Sequence, residues 1–189
     1  MNYCCIINLI TIFGGIYLTL KWQKDPEYLA LVEDLLDHEL VQKLEMYKHH
    51  HVTNRLLHSL SVSYRSYRWA KRLKLNTKAI ARAGLLHDLF FYDCETKHEV
   101  GGKGHNFEHP RIALENAKKL TELSELECDI ILKHMAGATR DVPKYAESWI
   151  VTLMDKHSCI AELTTGAFSF IYRHTVKAMD VAYNPNQIN

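Results

Sequence analysis

From Asp25 onward the chain repeats one pattern: a residue suited to start a helix, then apolar side chains three and four positions apart. That period gathers the apolar groups on one face of an α-helix, and a chain built this way must bury those faces against one another. Asp25-Pro26 is the first start, with the carboxylate as cap and proline at the first helical position. Leu29, Val32, Leu36, Leu40 and Leu44 then carry the period to Tyr47, with a break near His38. A polar turn over Lys48 to Asn54 precedes a helix from about Arg55 to Leu73, whose buried candidates include Leu57, Leu60, Tyr64, Tyr67 and Trp69. Thr77 is read as the cap of the next segment, TKAIARAGLLHDLFFY, where Ala79, Ala83 and Gly84 permit close helix packing. Asp93 to Glu108 reads as one long irregular stretch, and Pro110 reopens a helix at HPRIALENAKKL. Ser124 and Glu127 form a capping box for the helix that carries Ile130, Ile131 and His134. A last long helix is expected from about Pro143 to beyond Glu162, with further helix to about Tyr183. No segment sustains a period of two and no repeat occurs, so the expected fold is all-α: a compact multi-helix bundle.

At 189 residues one domain is the default, here 25–183, preceded by a hydrophobic segment at 1–24 and followed by a polar tail at 184–189. Tyr3 to Leu20 carries no charge, and Lys21 and Lys24 follow it at once. Two readings stay open: a membrane anchor that leaves the rest of the chain in the cytoplasm, or an arm packed on the domain or on a second subunit. The five thiols, Cys4, Cys5, Cys94, Cys128 and Cys159, are odd in number and form no CxxC pair, which suits a reducing compartment and free cysteines. Lys plus Arg at 23 against Asp plus Glu at 22 gives no basic excess for a polyanion partner. The basic and aromatic stretch YRSYRWAKRLKL is read as core-facing rings with solvated charges, which speaks against nucleic acid as a partner.

The twelve histidines are the anomaly in this composition. Several of them, and two aspartates, stand in apolar words: LLHSL, GLLHDLF, IILKHM and VTLMDKH. A carboxylate in such a run is costly to bury unless it is paired or bound to metal, so Asp88 and Asp155 call for a cation. Neutral imidazoles nearby can complete its shell. The His87-Asp88 dipeptide alone is a weak signal; the ordered series H…HD…H…H…D, each member on its own expected helix, is far more specific.

That series resembles the HD-domain metal-dependent phosphohydrolases, an all-helical superfamily named for its adjacent His and Asp. The resemblance covers about Arg55 to Glu162, through RLLHSLSVSY, ARAGLLHDL, HPRIAL and IILKHM, and is similar to that of small bacterial HD hydrolases. It implies a first metal site at His58, His87, Asp88 and Asp155, with Asp88 bridging to a second ion held by His109 and His134. A one-metal site, with His109 and His134 around it, is the alternative. The implied cofactor is a divalent metal, two ions in the fuller reading, drawn from Mn, Fe, Co, Ni, Zn or Mg. The implied activity is hydrolysis of a phosphomonoester or phosphodiester, of a nucleotide by preference, through attack of a metal-bound hydroxide. Two other readings stand beside it: a pyrophosphate-bond hydrolase for ppGpp-like or dinucleoside polyphosphate substrates, and a non-catalytic regulatory or binding module.

Asp88 and Arg55 are the catalytic candidates, Arg55 as a phosphate contact because an Arg often precedes the first ligand of the family. Lys133, Lys156, Arg111 and Arg140 are further cations to consider. Many two-metal phosphodiesterases of the superfamily carry Gly-Lys shortly after His-Asp; Leu89, Phe90 and Phe91 here speak against a cyclic dinucleotide. Phe90 and Phe91 are read as core residues and Asp93 as a weak proton-donor candidate. His49, His50 and His51 are read as a solvated turn or helix cap, with an extra metal contact as the alternative; His98 and His105 flank the glycine loop; His38, His157 and His174 are read as structural or surface residues. A small phosphorylated substrate is the expected partner, with an oligomer also open.

Overall fold

The computed structural model describes residues 21–49, 53–92 and 103–161. The first helix, α1 (Pro26–Leu36), starts as the sequence indicates, with the Asp25 carboxylate accepting from the Tyr28 N–H at 3.1 Å. It stops at Asp37, where the break was expected, and His38 Nδ1 accepts from the Leu40 N–H to open the short α2 (Glu39–Gln42). A 3-10 turn over Lys43–Met46 follows. The polar turn is more ordered than its composition suggests: β1 (Lys48–His49) and β2 (Thr53–Asn54) pair antiparallel, with His49 opposite Thr53. Two residues per strand are too few for alternation to register in a sequence. Lys48 faces out and His49 faces in.

Asn54 caps α3 (Arg55–Leu73) by accepting from the Leu57 N–H at 2.9 Å. Leu56, Leu60, Tyr64, Tyr67 and Ala70 are buried, whereas Leu57 is half-buried and Trp69 is 46% exposed. The inward face therefore runs through 56, 60, 63, 67 and 70, about a residue away from one through 57 and 69. Helix α4 (Thr77–Leu86) is capped by Asn76, which accepts from the Ala79 N–H, rather than by Thr77, its first helical residue. It also ends at Leu86, short of the aromatic run that the sequence reading carried along with it.

Helices α3 and α4 pack without a spacer. A Cβ at Gly84 would lie 3.0 Å from the Ser63 Cα, so glycine lets the two backbones meet there without displacing either. Beside it Ser63 donates to the Ala81 carbonyl at 2.6 Å and accepts from the Tyr28 hydroxyl at 2.7 Å, a buried chain that joins α1, α3 and α4.

Helix α5 (His105–Leu120) begins five positions before Pro110, so that proline sits inside the helix instead of reopening it. The capping box at Ser124 and Glu127 opens α6 (Glu125–Lys133) with both of its reciprocal bonds formed. The last described helix, α7, covers residues 146–161 and starts later than Pro143. Asp129 of α6 fixes its approach, accepting from the Lys144 N–H at 2.9 Å and the Ser148 hydroxyl at 2.7 Å while pairing with Lys133. Burial alone would raise the Asp129 pKa; Lys133 and these donors outweigh it and hold the carboxyl below its usual range.

The core runs through Tyr28, Val32, Leu44, Leu60, Tyr67, Ile80, Leu85, Leu86, Ile130 and Ile131. The fold is mostly helical, in agreement with the sequence, and no helix among the described residues is long and apolar enough to cross a membrane. The hydrophobic segment at 3–20, the helix expected to run on to Tyr183 and the polar tail lie outside the described residues.

Candidate metal centre

The six members of the His/Asp series arrive from five helices. His58 sits in the first turn of α3, His87 is the C-cap of α4 with Asp88 next to it, and His109 stands in the second turn of α5. His134 is the C-cap of α6, and Asp155 lies within α7. The structure brings all six together below the surface, none more than 7% exposed.

Three of the imidazoles are oriented in the same way. His87 Nδ1 donates to the Gly84 carbonyl, His109 Nδ1 to the His105 carbonyl and His134 Nδ1 to the Ile131 carbonyl, each at 2.8 Å. A carbonyl can only accept, so each ring carries its proton on Nδ1 and presents the Nε2 lone pair inward. These carbonyls lie one helical turn back from their histidines, so each ring is set by its own helix. This is how a metal-ligating histidine is usually held in one tautomer.

What the Nε2 atoms face is then chemically incomplete. His109 Nε2 and His134 Nε2 stand 2.8 Å apart with a lone pair on each, and two acceptors attract only through something positive placed with them. His87 Nε2 is fully buried and has no hydrogen-bond partner among the described residues; Asp155 Oδ1 and Asp88 Oδ2 are 3.7 and 3.8 Å away. The donor set thus fits a divalent cation: converging imidazole lone pairs and two buried carboxylates.

Asp88 connects two groups. Its Oδ1 faces His109 Nε2 at 3.4 Å and His134 Nε2 at 3.6 Å, while its Oδ2 faces the His87 and His49 side. Asp155 Oδ1 meets His58 Nε2 at 3.1 Å. Two metal-capable triads result, His58 with His87 and Asp88, and Asp88 with His109 and His134.

The electrostatics agree with this division. Burial pushes the Asp88 pKa up, but His87, His109, His134 and His58 outweigh it and keep the carboxyl well below the usual range. Asp155 is held low in the same way by His58 and His87. Burial, together with His87 and His109, brings His134 down to about 3, and His109 is also lowered, first of all by burial. His87 goes the other way: burial opposes its charge, yet Asp88 and Asp155 raise its pKa.

Arg55 takes a different place from the phosphate contact expected of it. Its guanidinium is fully buried, donating to the Phe90 carbonyl at 2.7 Å and the Tyr92 carbonyl at 3.0 Å and stacking 3.6 Å from the Phe90 ring centre. It acts as a strut that holds the chain immediately after Asp88. Phe90 and Phe91 pack inward as the sequence suggested, Phe90 beneath Arg55 and Phe91 beside Tyr47.

The other candidate cations are engaged too: Lys133 with Asp129, Arg111 with Asp141, and Lys156 with the Ala136 carbonyl. Arg140 is exposed and lines a cavity of about 580 Å³ with Lys103, His105, Phe107 and Thr139. His105 stacks on His109 at 4.4 Å, so this cavity is one ring away from the donors. Asp93 and His98 lie outside the described residues.

For His49 the structure favours the lesser of the two sequence readings, a place beside the metal donors. The ring is 7% exposed, stacks on His58 at 3.7 Å and reaches to 3.9 Å from Asp88 Oδ2. The HHH run reads as solvated because composition does not show that the strand Lys48–His49 turns His49 inward. Cys159 was passed over, although it stands one helical turn after Asp155 and therefore on the same face of α7.

Comparison with curated proteins and with solved structures finds no match. The HD domain family matches residues 55–159, more than half of the chain, and that span holds all six members of the series. With a buried His/Asp cluster of the kind that binds divalent metal in HD domains, the chain belongs to the HD domain family.

Proposed function

We propose that this protein is a metal-dependent phosphohydrolase with a binuclear site, acting on a phosphomonoester or phosphodiester of a nucleotide. The observation that carries the reading is Asp88, whose two oxygens face two separate sets of imidazoles. His58, His87, Asp88 and Asp155 would hold one ion, and Asp88, His109 and His134 the other. Divalent ions bound there supply Lewis acidity, activating water and neutralising charge on phosphoryl oxygens.

The chain supplies the rest. The backbone carbonyls behind His87, His109 and His134 keep the rings in one tautomer, so little reorganisation is needed when a substrate arrives. Arg55 holds the turn after Asp88 in place from behind. Arg140 and Lys103 bring positive charge to the wall of the neighbouring cavity, where a phosphorylated substrate can lie, and Phe107 offers an aromatic face to a base.

Metal analysis of protein purified without chelator, paired with phosphate release from a nucleotide panel with added Mn²⁺, tests the reading. About two metals per chain and Mn²⁺-stimulated release are expected, with His134→Ala losing one ion. Unchanged stoichiometry in that variant eliminates the second ion, and absence of both metal and turnover after reconstitution leaves a non-catalytic binding module.

A further inference from the structure

The described residues contain a third group of metal-capable side chains, of which the six-member series accounts for His58 alone. The ligand atoms of His49, His58 and Cys159 lie within 4.8 Å of one another. The hairpin turns His49 inward and lays its ring parallel to His58, with 24° between the planes. Cys159 is half-buried, and its thiol donates to Asp155 Oδ1 at 3.7 Å. The same oxygen is 3.1 Å from His58 Nε2 and 3.7 Å from the buried His87 Nε2. One carboxylate oxygen is thus ringed by two imidazoles and a thiol, with a third imidazole stacked behind.

We propose that this chain extends the His58, His87, Asp88 and Asp155 site with His49 and Cys159. The ion held there then has sulfur as well as nitrogen and oxygen donors, and the site selects a borderline divalent ion such as Zn²⁺, Co²⁺ or Fe²⁺ over Mg²⁺. The inference rests on the metal-site reading above and adds the class of ion.

Metal–sulfur bonds of about 2.3 Å and metal–nitrogen bonds of about 2.0 Å put neighbouring N and S donors roughly 3.0–3.5 Å apart. The separations here, within 4.8 Å, exceed that by less than about 2 Å, which rotation about the side-chain torsions of Cys159 and His49 can close. As the metal–sulfur bond forms, the S–H bond breaks and its proton leaves to solvent, so ion uptake releases one proton from Cys159. Thiolate is a soft donor that suits Zn²⁺, Fe²⁺ and Co²⁺, whereas Mg²⁺ takes oxygen ligands and keeps its waters.

The test uses the full chain, stripped with chelator and reloaded with Co²⁺ under reducing, anaerobic conditions. A thiolate-to-cobalt charge-transfer band in the near ultraviolet is expected, accompanied by the visible bands of bound Co²⁺. Cys159→Ser should lose the ultraviolet band while keeping the visible ones and the helical circular dichroism. Its preference for Zn²⁺ over Mg²⁺ should fall at least about tenfold, and His49→Gln should weaken Co²⁺ by a similar factor. Co²⁺ bound without the ultraviolet band, or a band that survives in Cys159→Ser, overturns the sulfur ligand and leaves the HD site standing. No Co²⁺ bound by the unmodified chain overturns both.

Discussion

Arg55 shows how far a side chain's chemistry can differ from its place in a motif. Three positions before the first histidine of the series it invites a role on phosphate, yet both of its terminal nitrogens donate to backbone carbonyls. Lysine cannot reproduce that planar fork or the stacking on Phe90. Arg55→Lys is therefore expected to cost the metal-free protein about 2–4 kcal/mol, read as a lowered urea midpoint. A phosphate contact would instead raise KM and leave the midpoint where it was.

The imidazoles make a second prediction at this scale. His134 and His109 have folded pKa values below their ordinary 6.5, so below pH 6.5 the unfolded chain takes up protons that the folded chain refuses. Stability of the metal-free protein should then fall as pH drops, by about 2–3 kcal/mol at about pH 4.5 from His134 alone. The raised His87 contributes in another window: its stabilisation is complete below 6.5 and is lost as pH rises through its folded value. The low carboxyls of Asp88 and Asp155 add a loss that begins only below 3.8. Urea midpoints of chelated protein should peak near pH 6.5, and His134→Gln should flatten the acid side by about one proton.

At the scale of the element, caps and periods were the legible part. The starts at Asp25 and Ser124, the break near His38 and the whole span Arg55 to Leu73 follow from side chains acting within a turn of where they stand. The misses have physical causes. Asn76 and Thr77 are both competent caps, and the backbone chose the first. Pro110 sits in a helix already under way, and the two-residue ladder that inverts His49 leaves no periodic trace.

In the site, the six-member series was legible because an ionic residue in an apolar run is anomalous by itself. His49 was so only as the lesser of two readings and Cys159 was not, since their neighbourhood exists only after folding. The contact of α3 with α4 is the most sensitive joint, for it sets the distance from His58 to His87. Gly84→Val should force the helices apart at Ser63 and destabilise the protein by about 1–3 kcal/mol. Metal affinity should fall with it, measured by titration at a temperature where the variant stays folded.

For the whole molecule, the cluster is a liability that an ion converts into a brace. Two buried carboxylates and at least four imidazoles from five helices surround one small volume, and an ion that binds only the folded chain adds its binding energy to stability. At free metal about one hundred times Kd the gain is about 2.7 kcal/mol. Thermal scans should show a higher Tm with Zn²⁺ or Mn²⁺ and a lower one with chelator, and Asp88→Ala should erase the difference while its helical signal persists. A Tm indifferent to metal would mean that the donors do not bind as a set.

His58 and Asp155 meet across 97 residues of sequence. A ribosome extends the chain by about 5–20 residues per second, so several seconds separate the appearance of the first from that of the second. During that interval α3 and α4 can already pack at Gly84, with His58, His87 and Asp88 facing a side still open to water. The nascent chain holds a partial grip until α7 emerges and closes over it. Enclosure of an ion by the whole set of donors therefore waits for α7, which brings Asp155.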